Sequence, residues 1–300
     1  MEAADEDLQA TPSSTVMAAL ATLSPPQLSA LTDSVLADLH HHHRRVSALL
    51  SSPSLFSLAL RHLLSLPLPL KSLLVARHLL SSLRLLTRHL PLPALSPSHA
   101  PPERRRDRDR DAATLLLLLC ELRHRDPRAL EDAPPSEWRS VLRRHCSKDL
   151  LSIAGIGAFS GGILVPYVEM VVRCRNFVGA VERCLEAGEG RRQVAASPAA
   201  VVALPSVEAA GGGECAVCRE EMEGGRDVCE LPCRHSFHWM CILPWVRKTN
   251  TCPCCRFELP TDDVFGEIRR LWGALAKIGS GSHDAGSTWS RDDSCCNGCA

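Results

Sequence analysis

Apolar residues recur at steps of three and four along the first part of the chain, as they do on one face of a helix. The clearest set is Leu28, Leu31, Val35, Leu36 and Leu39. Similar patterns predict helices over 54–66 and 70–90, which end where Pro67 and Pro91 follow. Proline lacks the N–H that a helix needs and clashes with the preceding turn. The first region is therefore predicted to be helical.

Helical patterns return after residue 111. A second helical block is expected over 112–187, with one helix opening at Trp138, and a last helix is expected over 259–278. Only 4% of the residues are aromatic while leucine is abundant, which favours helices with leucine-rich cores. The predicted fold class is mainly α, with a Leu-rich helical N-terminal region.

Composition separates these blocks. Residues 99–111 mix Arg and Asp after two prolines and predict a solvated linker, and residues 188–213, rich in Gly, Ala, Ser and Pro, predict a flexible one. The predicted order is 1–14 disordered, 15–98 helical, 99–111 charged linker, 112–187 helical, 188–213 flexible linker, 214–258 zinc domain, 259–278 helix and 279–300 disordered tail.

The charges balance, with 34 Lys and Arg against 34 Asp and Glu. Because the chain has no overall basic field, it is not expected to bind nucleic acid. The Arg-rich run 104–110 keeps RNA or DNA binding open as an alternative, which would appear as a steep dependence of binding on salt.

Fifteen cysteines would indicate a disulfide scaffold in a small secreted chain, but the first residues are acidic and resemble no signal peptide. The thiols are therefore expected to be reduced in an intracellular, cytosolic protein.

No window approaches the roughly twenty apolar residues of a transmembrane segment. The run His40–His43 is interpreted as low-complexity sequence rather than a metal site. The role of Cys295, Cys296 and Cys299 stays open, since a prenylation signal needs Cys where Asn297 stands.

Eight Cys and His residues lie close together in the last third of the chain, mostly as close pairs. They are Cys215, Cys218, Cys233, His235, His238, Cys241, Cys252 and Cys255. Tetrahedral zinc takes four Cys or His ligands, usually delivered as pairs from short turns. The spacing therefore predicts a ligand set for two Zn²⁺ ions, against the alternative of scattered core or disulfide cysteines.

The order of these ligands, three Cys, two His and three Cys, is the RING-H2 pattern, whereas a PHD finger has a single His in fifth place. Residues 231–245 and 252–256 closely resemble the RING-H2 ubiquitin ligases. The resemblance covers residues 214–258 and implies a small ββα cross-brace domain. Removal of the metal is expected to unfold a domain this small.

The resemblance also implies how the ligands pair. One zinc would be held by Cys215, Cys218, His238 and Cys241, and the other by Cys233, His235, Cys252 and Cys255. Cys229 and Cys254 are left over. Cys254 could compete as a ligand, although the two-residue spacing favours Cys252 with Cys255.

RING ligases of this kind bind an E2 ubiquitin-conjugating enzyme through an apolar residue in the first Cys pair, an aromatic residue after the sixth ligand and a proline in the last pair. The matching residues here are Val217, Trp245 and Pro253, and Ile242 is expected to extend the patch. Purely internal packing of Val217 and Trp245 is the alternative, although a binding groove must stay partly exposed.

Arg256 follows the last ligand and matches the family's linchpin arginine, whose guanidinium bridges ubiquitin and the E2. The resemblance implies a RING-type E3 ubiquitin ligase that promotes transfer of ubiquitin from the E2 to a lysine of an unknown protein substrate. The alternative is a zinc-stabilised interaction scaffold without ligase activity.

Segments outside the zinc domain carry a second resemblance. Residues 51–58, 60–66, 162–167 and 172–177 resemble the plant RING ligases of shoot gravitropism that associate with amyloplasts. This implies ligase activity at the cytosolic face of the plastid, with peripheral organelle association and no transmembrane segment. The helical region 15–187 would then recruit the substrate or place the enzyme.

Overall fold

The structure, a computed structural model, describes residues 11–92, 103–131, 133–153, 162–186, 193–207, 213–222 and 227–281. Within these ranges the chain forms two compact units. The first, called the helical unit, contains helices α1 to α7. The second, called the RING unit, contains α8, a small sheet, α9 and most of α10. The mainly helical fold class is confirmed.

The helical unit consists of seven helices in sequence. They are α1 (Pro12–Ala21), α2 (Pro25–Ser51), α3 (Pro53–Ser65), α4 (Leu68–Leu86), α5 (Glu103–Arg125), α6 (Trp138–Ile153) and α7 (Leu164–Glu186). The helices predicted over 54–66 and 70–90 are present as α3 and α4, and a helix opens at Trp138 as predicted. Because α1 begins at Pro12, the disorder predicted for 1–14 is wrong for its last residues. Residues 1–10 lie outside the described residues.

Prolines and hydroxyl side chains determine where the first helices begin. Pro12, Pro25 and Pro53 each stand at the first helical position, where the N–H that proline lacks would have no partner within the helix. The hydroxyls of Thr11 and Ser52 accept hydrogen bonds from backbone N–H groups in the first turns of α1 and α3. Pro67 separates α3 from α4, as the sequence predicts.

The core of the helical unit is built mainly from leucine. On α2, Leu31 and Val35 are fully buried, as the periodic pattern predicts, while Leu28 is only half-buried. Helix α4 packs against both α5 and α7 and buries residues on most of its surface, including Leu79 and Leu83. Because it packs against two other helices, α4 is the central helix of this unit. Each buried leucine side chain contributes about 2 kcal/mol to the stability of the fold.

Residues 103–111 of the charged run that predicted a linker are instead the first part of helix α5, while residues 99–102 lie outside the described residues. Three aspartates, Asp107, Asp109 and Asp111, follow one another at steps of two, and each pairs with a side chain of another helix. The guanidinium of Arg45 donates hydrogen bonds to Asp107 at 3.1 Å and to Asp111 at 2.6 Å. The carboxylate of Asp109 accepts a hydrogen bond from Arg77 at 3.2 Å and lies 3.2 Å from Nε2 of His62. These ion pairs attach α5 to α2, α3 and α4, so the linker prediction is wrong for 103–111.

Polar side chains from three helices meet in the interior of the helical unit. The ring of His42 lies 5.7 Å from the ring of His78, centroid to centroid. The Tyr167 hydroxyl donates to Oδ2 of Asp38 at 3.1 Å. Nε2 of His78 is buried without a hydrogen-bond partner. The interpretation of the His40–His43 run as low-complexity sequence is therefore wrong for His42, which packs in this cluster.

We expect the helical unit to lose stability as the pH falls from 7 to 5. Burial, with His78 nearby, lowers the pKa of His42 from 6.5 to about 4, although Asp38 opposes this, and burial also lowers the pKa of His78. Between these pKa values the unfolded chain binds the proton that the folded chain excludes. His42 alone then reduces the free energy of unfolding by about 2 kcal/mol at pH 5.

Urea unfolding followed by helical circular dichroism at pH 7 and pH 5 measures this effect. In His42→Phe, which cannot take up a proton, the difference in unfolding free energy between the two pH values should shrink by about 2 kcal/mol. His41→Gln is the matched control, since His41 is exposed. An unchanged pH dependence in His42→Phe would contradict the expectation.

The RING unit begins upstream of its first zinc-ligand candidate. Helix α8 (Pro198–Val202) leads into strand β1 (Ser206–Val207), which pairs antiparallel with β2 (Val228–Glu230), and β2 pairs with β3 (Ser236–His238). Helix α9 (Trp239–Val246) follows β3, and α10 (Val264–Gly279) is the last helix. The strands β2 and β3 with α9 are the ββα arrangement that the resemblance implies.

The flexible linker predicted over 188–213 is wrong for residues 193–207, which are built into the RING unit. Besides the pairing of β1, the N–H of Ala196 donates to the Val246 carbonyl at 2.9 Å. The N–H of Ser197 donates to the Pro260 carbonyl, and the Thr261 hydroxyl to the Ala195 carbonyl, both at 2.8 Å. The segment is held both by these hydrogen bonds and by apolar side chains such as Leu204, which is buried in the core of the RING unit.

Helix α10 is joined to the segment before it through the buried carboxylate of Glu267. Glu267, which is 4% exposed, receives two hydrogen bonds from Arg270 at 2.8 and 2.7 Å, and a third from the N–H of Thr261 at 3.2 Å. Its carboxylate is therefore satisfied, as a buried charge must be. The helix predicted over 259–278 begins five residues later, at Val264, and residues 282–300 lie outside the described residues.

Candidate metal centre

The fold brings the eight predicted ligands into two groups of four. One group is Cys215, Cys218, His238 and Cys241, and the other is Cys233, His235, Cys252 and Cys255. Within each group the candidate donor atoms all lie within 4.8 Å of one another. The two groups alternate along the chain, as in a cross-brace.

Two of the Cys pairs sit in turns of the same design. After the pair Cys215 and Cys218, the N–H of Arg219 donates to the Cys215 carbonyl at 2.7 Å. After the pair Cys252 and Cys255, the N–H of Arg256 donates to the Cys252 carbonyl at 3.0 Å. The residues that flank each turn pair with each other in a single antiparallel β-bridge, Glu214 with Glu221 and Thr251 with Glu258. These turns aim both sulfur atoms of a pair at one point.

Three residues that directly follow candidate ligands have unusual backbone angles. Arg219, Arg234 and Arg256 have φ of 62°, 65° and 59°, and each directly follows a candidate ligand. These φ values belong to the left-handed backbone conformation. A residue with a side chain is less stable there than glycine by about 1 kcal/mol. The strain is the consequence of turning the chain sharply enough to direct the preceding Cys inward.

Hydrogen bonds within the groups favour thiolates at two positions. The Cys233 thiol donates to Cys252, which lowers the pKa of Cys252 to about 5 and raises the pKa of Cys233. Burial acts to raise the pKa of Cys215, but backbone N–H groups, including that of Cys218, lower it to about 7. Because a metal-bound Cys is a thiolate, these donors prepare the sulfur atoms of Cys252 and Cys215 for a cation.

The donor sets fit zinc. Both groups offer only sulfur and imidazole nitrogen, with no carboxylate, and four such donors are the composition of structural zinc sites. Ligands about 2.0 to 2.3 Å from a central zinc stand about 3.3 to 3.8 Å apart in a tetrahedron. Distances within 4.8 Å therefore leave only a small contraction. Each group is positioned to bind one Zn²⁺.

Beside the two groups, apolar side chains remain exposed to solvent. Val217 is 42% exposed and Trp245 is 40% exposed, and Pro253 is half-buried. The indole N–H of Trp245 donates to the Thr251 carbonyl at 2.7 Å, which fixes the ring in place. Purely internal packing of Val217 and Trp245 is therefore excluded.

Ile242 does not belong to this exposed surface. Its exposed fraction is 0%, and it packs in the core with residues such as Phe237 and Val246. The prediction that Ile242 extends the patch is wrong. On the eight-residue helix α9, Ile242 and Trp245 lie about 60° apart, and that rotation is enough to turn one side chain inward and leave the other outside.

The remaining Cys and His candidates stand apart from the two groups. Cys254 is exposed and Cys229 is buried in β2, and neither belongs to a metal-binding group among the described residues. The same holds for His40–His43 in the described part of α2. Cys295, Cys296 and Cys299 lie outside the described residues. Every helix in the described ranges is too short or too polar to cross a lipid bilayer.

Sequence reasoning missed the residues that hold the exposed surface in place. The carbonyl of Thr251 orients Trp245, and the side-chain amide of Asn250 donates to the Leu259 carbonyl at 2.8 Å. The hydroxyls of Thr249 and Thr251 lie 3.0 Å apart. A polar run directly before Cys252 is the only signal in the sequence, and a loop would produce the same signal.

Comparison with known proteins assigns the zinc domain. The family described as Ring finger domain matches residues 213–256. The chain is 50% identical over 275 residues to the E3 ubiquitin-protein ligase SGR9, amyloplastic, of Arabidopsis thaliana, a match covering 87% of this chain and 95% of that protein. No solved structure matches the chain.

Other relatives match over the zinc domain and its surroundings. The E3 ubiquitin-protein ligase RNF181 homolog of Drosophila melanogaster is 51% identical over 82 residues, or 25% of this chain and 56% of that protein. The E3 ubiquitin-protein ligase RNF181 of Mus musculus is 60% identical over 50 residues, or 17% of this chain and 30% of that protein. The chain, with its two zinc-binding groups and near-complete match to a plant ligase, belongs to the RING-type E3 ubiquitin-protein ligases.

Proposed function

We propose that the surface formed by Val217, Trp245 and Pro253 binds a ubiquitin-charged E2. The observation that carries this proposal is the exposed, immobilised indole of Trp245, since aromatic side chains fixed in this way are typical anchors of protein interfaces. Val217 is exposed to a similar degree. The two zinc ions supply the framework, because each would hold one of the turns that carry this surface.

The chemistry takes place on the E2. The amine of a substrate lysine attacks the carbonyl carbon of the thioester between ubiquitin and the E2 cysteine. A C–N bond forms, the C–S bond breaks, the cysteine leaves as a thiolate and the amine loses a proton. The ligase adds no nucleophile, because its Cys residues in the two groups are reserved for zinc. Its contribution is to hold the charged ubiquitin in a reactive orientation.

Arg256 is the residue that we propose to hold that orientation. Its side chain is exposed at the end of the second Cys turn. A guanidinium presents several donors in a planar fork and stays charged at any physiological pH. One guanidinium can therefore donate both to the E2 and to ubiquitin, and would link them in the reactive arrangement.

We place this activity at the cytosolic surface of the amyloplast, in gravitropism. The support is the match along nearly the whole chain to a relative whose name includes amyloplastic, together with the resemblance seen in residues 51–66 and 162–177. The match includes the helical unit, which we propose recruits the substrate or attaches the ligase to the organelle. A cytosolic location fits thiols held for zinc rather than as disulfides.

Replacement of Trp245 by alanine is expected to weaken E2 binding about 30-fold. Removal of a central aromatic anchor typically costs 2 kcal/mol or more, and this converts to the stated ratio. The binding constant is measured by titrating the zinc-loaded protein with a panel of E2 enzymes, and autoubiquitination is followed in parallel. The zinc content of the variant should stay at two ions.

Met240→Ala is the matched control. Met240 is 82% exposed on the same helix, about 140° around the helix axis from Trp245. This variant should bind E2 and build ubiquitin chains as the wild type does. If Trp245→Ala also retains both properties, the proposed E2 surface is wrong. If the wild type builds no chains with any E2, the scaffold alternative replaces the catalytic interpretation.

A further inference from the structure

The corner between α3 and α4 exposes leucine side chains that the proposed function does not use. Leu64 is 54% exposed, Leu68 is 52% exposed and Leu70 is 45% exposed. We call these three residues the leucine corner. Single exposed leucines are ordinary on protein surfaces, but three within seven residues of one corner form an exposed apolar patch. Farther back on α3, Leu55 and Leu58 are 43% and 41% exposed and continue the apolar surface.

Cations flank the leucine corner on both sides. Arg61 precedes Leu64 by three residues on α3, and Lys71 follows Leu68 by three residues on α4. Residues three apart on a helix are neighbours on its surface. Among the described residues, no carboxylate pairs with Arg61 or Lys71.

The surrounding sequence is free of acidic residues. No Asp or Glu occurs between Asp38 and Glu103, a stretch that includes all of α3 and α4. The Lys and Arg residues in it are Arg44, Arg45, Arg61, Lys71, Arg77, Arg84 and Arg88. The aspartates of α5 are occupied by Arg45, His62 and Arg77. Within the part of the chain that the structure describes, the charges of Arg61 and Lys71 therefore remain available to an external partner.

We propose that the leucine corner inserts into the headgroup region of a membrane that contains anionic lipids. Exposed leucines where two helices meet, with cations one helical turn away on either side, match a membrane that is apolar inside and negative at its boundary. This inference rests on the proposed location at the amyloplast and supplies a physical means for it.

Sedimentation of the full-length, zinc-loaded protein with vesicles tests this proposal. Vesicles of phosphatidylcholine with about 30% phosphatidylglycerol, the composition chosen to give an anionic surface, are compared with vesicles of phosphatidylcholine alone. The wild type should bind the anionic vesicles and lose most of this binding in high salt. The triple variant Leu64→Ser, Leu68→Ser, Leu70→Ser should bind at least about tenfold more weakly.

The charge of the corner is tested separately. Arg61→Gln and Lys71→Gln should each weaken binding to the anionic vesicles about fivefold. Val165→Ser is the matched control, because Val165 is 46% exposed in the same helical unit but lies on α7. This control should bind as the wild type does, and all variants should keep the helical circular dichroism of the wild type.

Three outcomes would overturn the proposal. They are wild-type binding by the leucine triple variant, equal binding to neutral and anionic vesicles, and binding to neither. In the last case an acidic protein segment would be the better partner for the corner. Autoubiquitination in solution should be unchanged in every corner variant, so that failure of the membrane proposal is distinguished from failure of the E2 proposal.

Discussion

Removal of zinc is expected to unfold the RING unit and abolish ubiquitin transfer. The strands of this unit have two or three residues and α9 has eight, so the hydrophobic core is too small to offset the ordering of the chain. Structural zinc contributes about 10 to 16 kcal/mol in small zinc-dependent domains. That contribution is comparable to the whole stability of a typical domain, about 5 to 15 kcal/mol.

The measurement is zinc content by mass spectrometry, together with autoubiquitination, before and after treatment with a strong chelator. The unfolding should be reversed when zinc is restored. Cys233→Ser should reproduce the loss, with at least one zinc missing. Cys254→Ser is the matched control, because Cys254 is an exposed Cys between two proposed ligands. If Cys254→Ser loses zinc while Cys255→Ser retains it, the ligand assignment is wrong.

Replacement of Arg256 is expected to lower ubiquitin transfer about 100-fold while leaving E2 binding nearly intact. A fall of about 100-fold is typical when an enzyme loses one hydrogen-bond donor that stabilises mainly the transition state. Arg256→Gly is the informative variant, since Arg256 has φ of 59° and glycine relieves the strain there. The RING unit should become more stable by about 1 kcal/mol as activity falls. A merely structural role would lower stability and activity together.

Single-turnover discharge of ubiquitin from the E2 onto free lysine measures the transfer rate, and thermal unfolding measures stability. Arg234→Gly is the matched control, because Arg234 is also exposed, follows a zinc-ligand candidate and has φ of 65°. It should gain a similar stability and keep wild-type transfer. Full transfer by Arg256→Gly would remove the linchpin role.

Sequence reasoning reached the zinc ligands because their chemistry is local. A pair such as Cys252 and Cys255 must lie in one turn to share a metal ion, so the spacing alone reveals it. The pairing of the groups came from the resemblance, since contacts between Cys218 and His238, 3.4 Å apart, depend on the whole fold. The exposed fraction of Ile242 could not be read from its apolar character, because burial depends on the rotation of α9 against the sheet.

The two linker predictions failed for different physical reasons. The Arg and Asp run of α5 appeared self-neutralising, yet Asp109 and Asp111 pair with distant residues that local sequence does not reveal. The small residues of 193–207 predict too little buried surface for order, but the segment adds Leu204 to the core and donates backbone hydrogen bonds to partners such as Pro260. Composition does not reveal these hydrogen bonds, because they involve the main chain.

The strand contributed by Ser206 and Val207 has a consequence for how much chain the ligase domain requires. The span recognised as a Ring finger domain begins at residue 213, after β1 and after the segment that bonds to Val246, Pro260 and Thr261. A fragment cut to that span would leave the edge of β2 bare, and bare strand edges promote aggregation. The smallest fragment that keeps this edge covered and the segment bonded therefore begins near residue 193 and extends into α10.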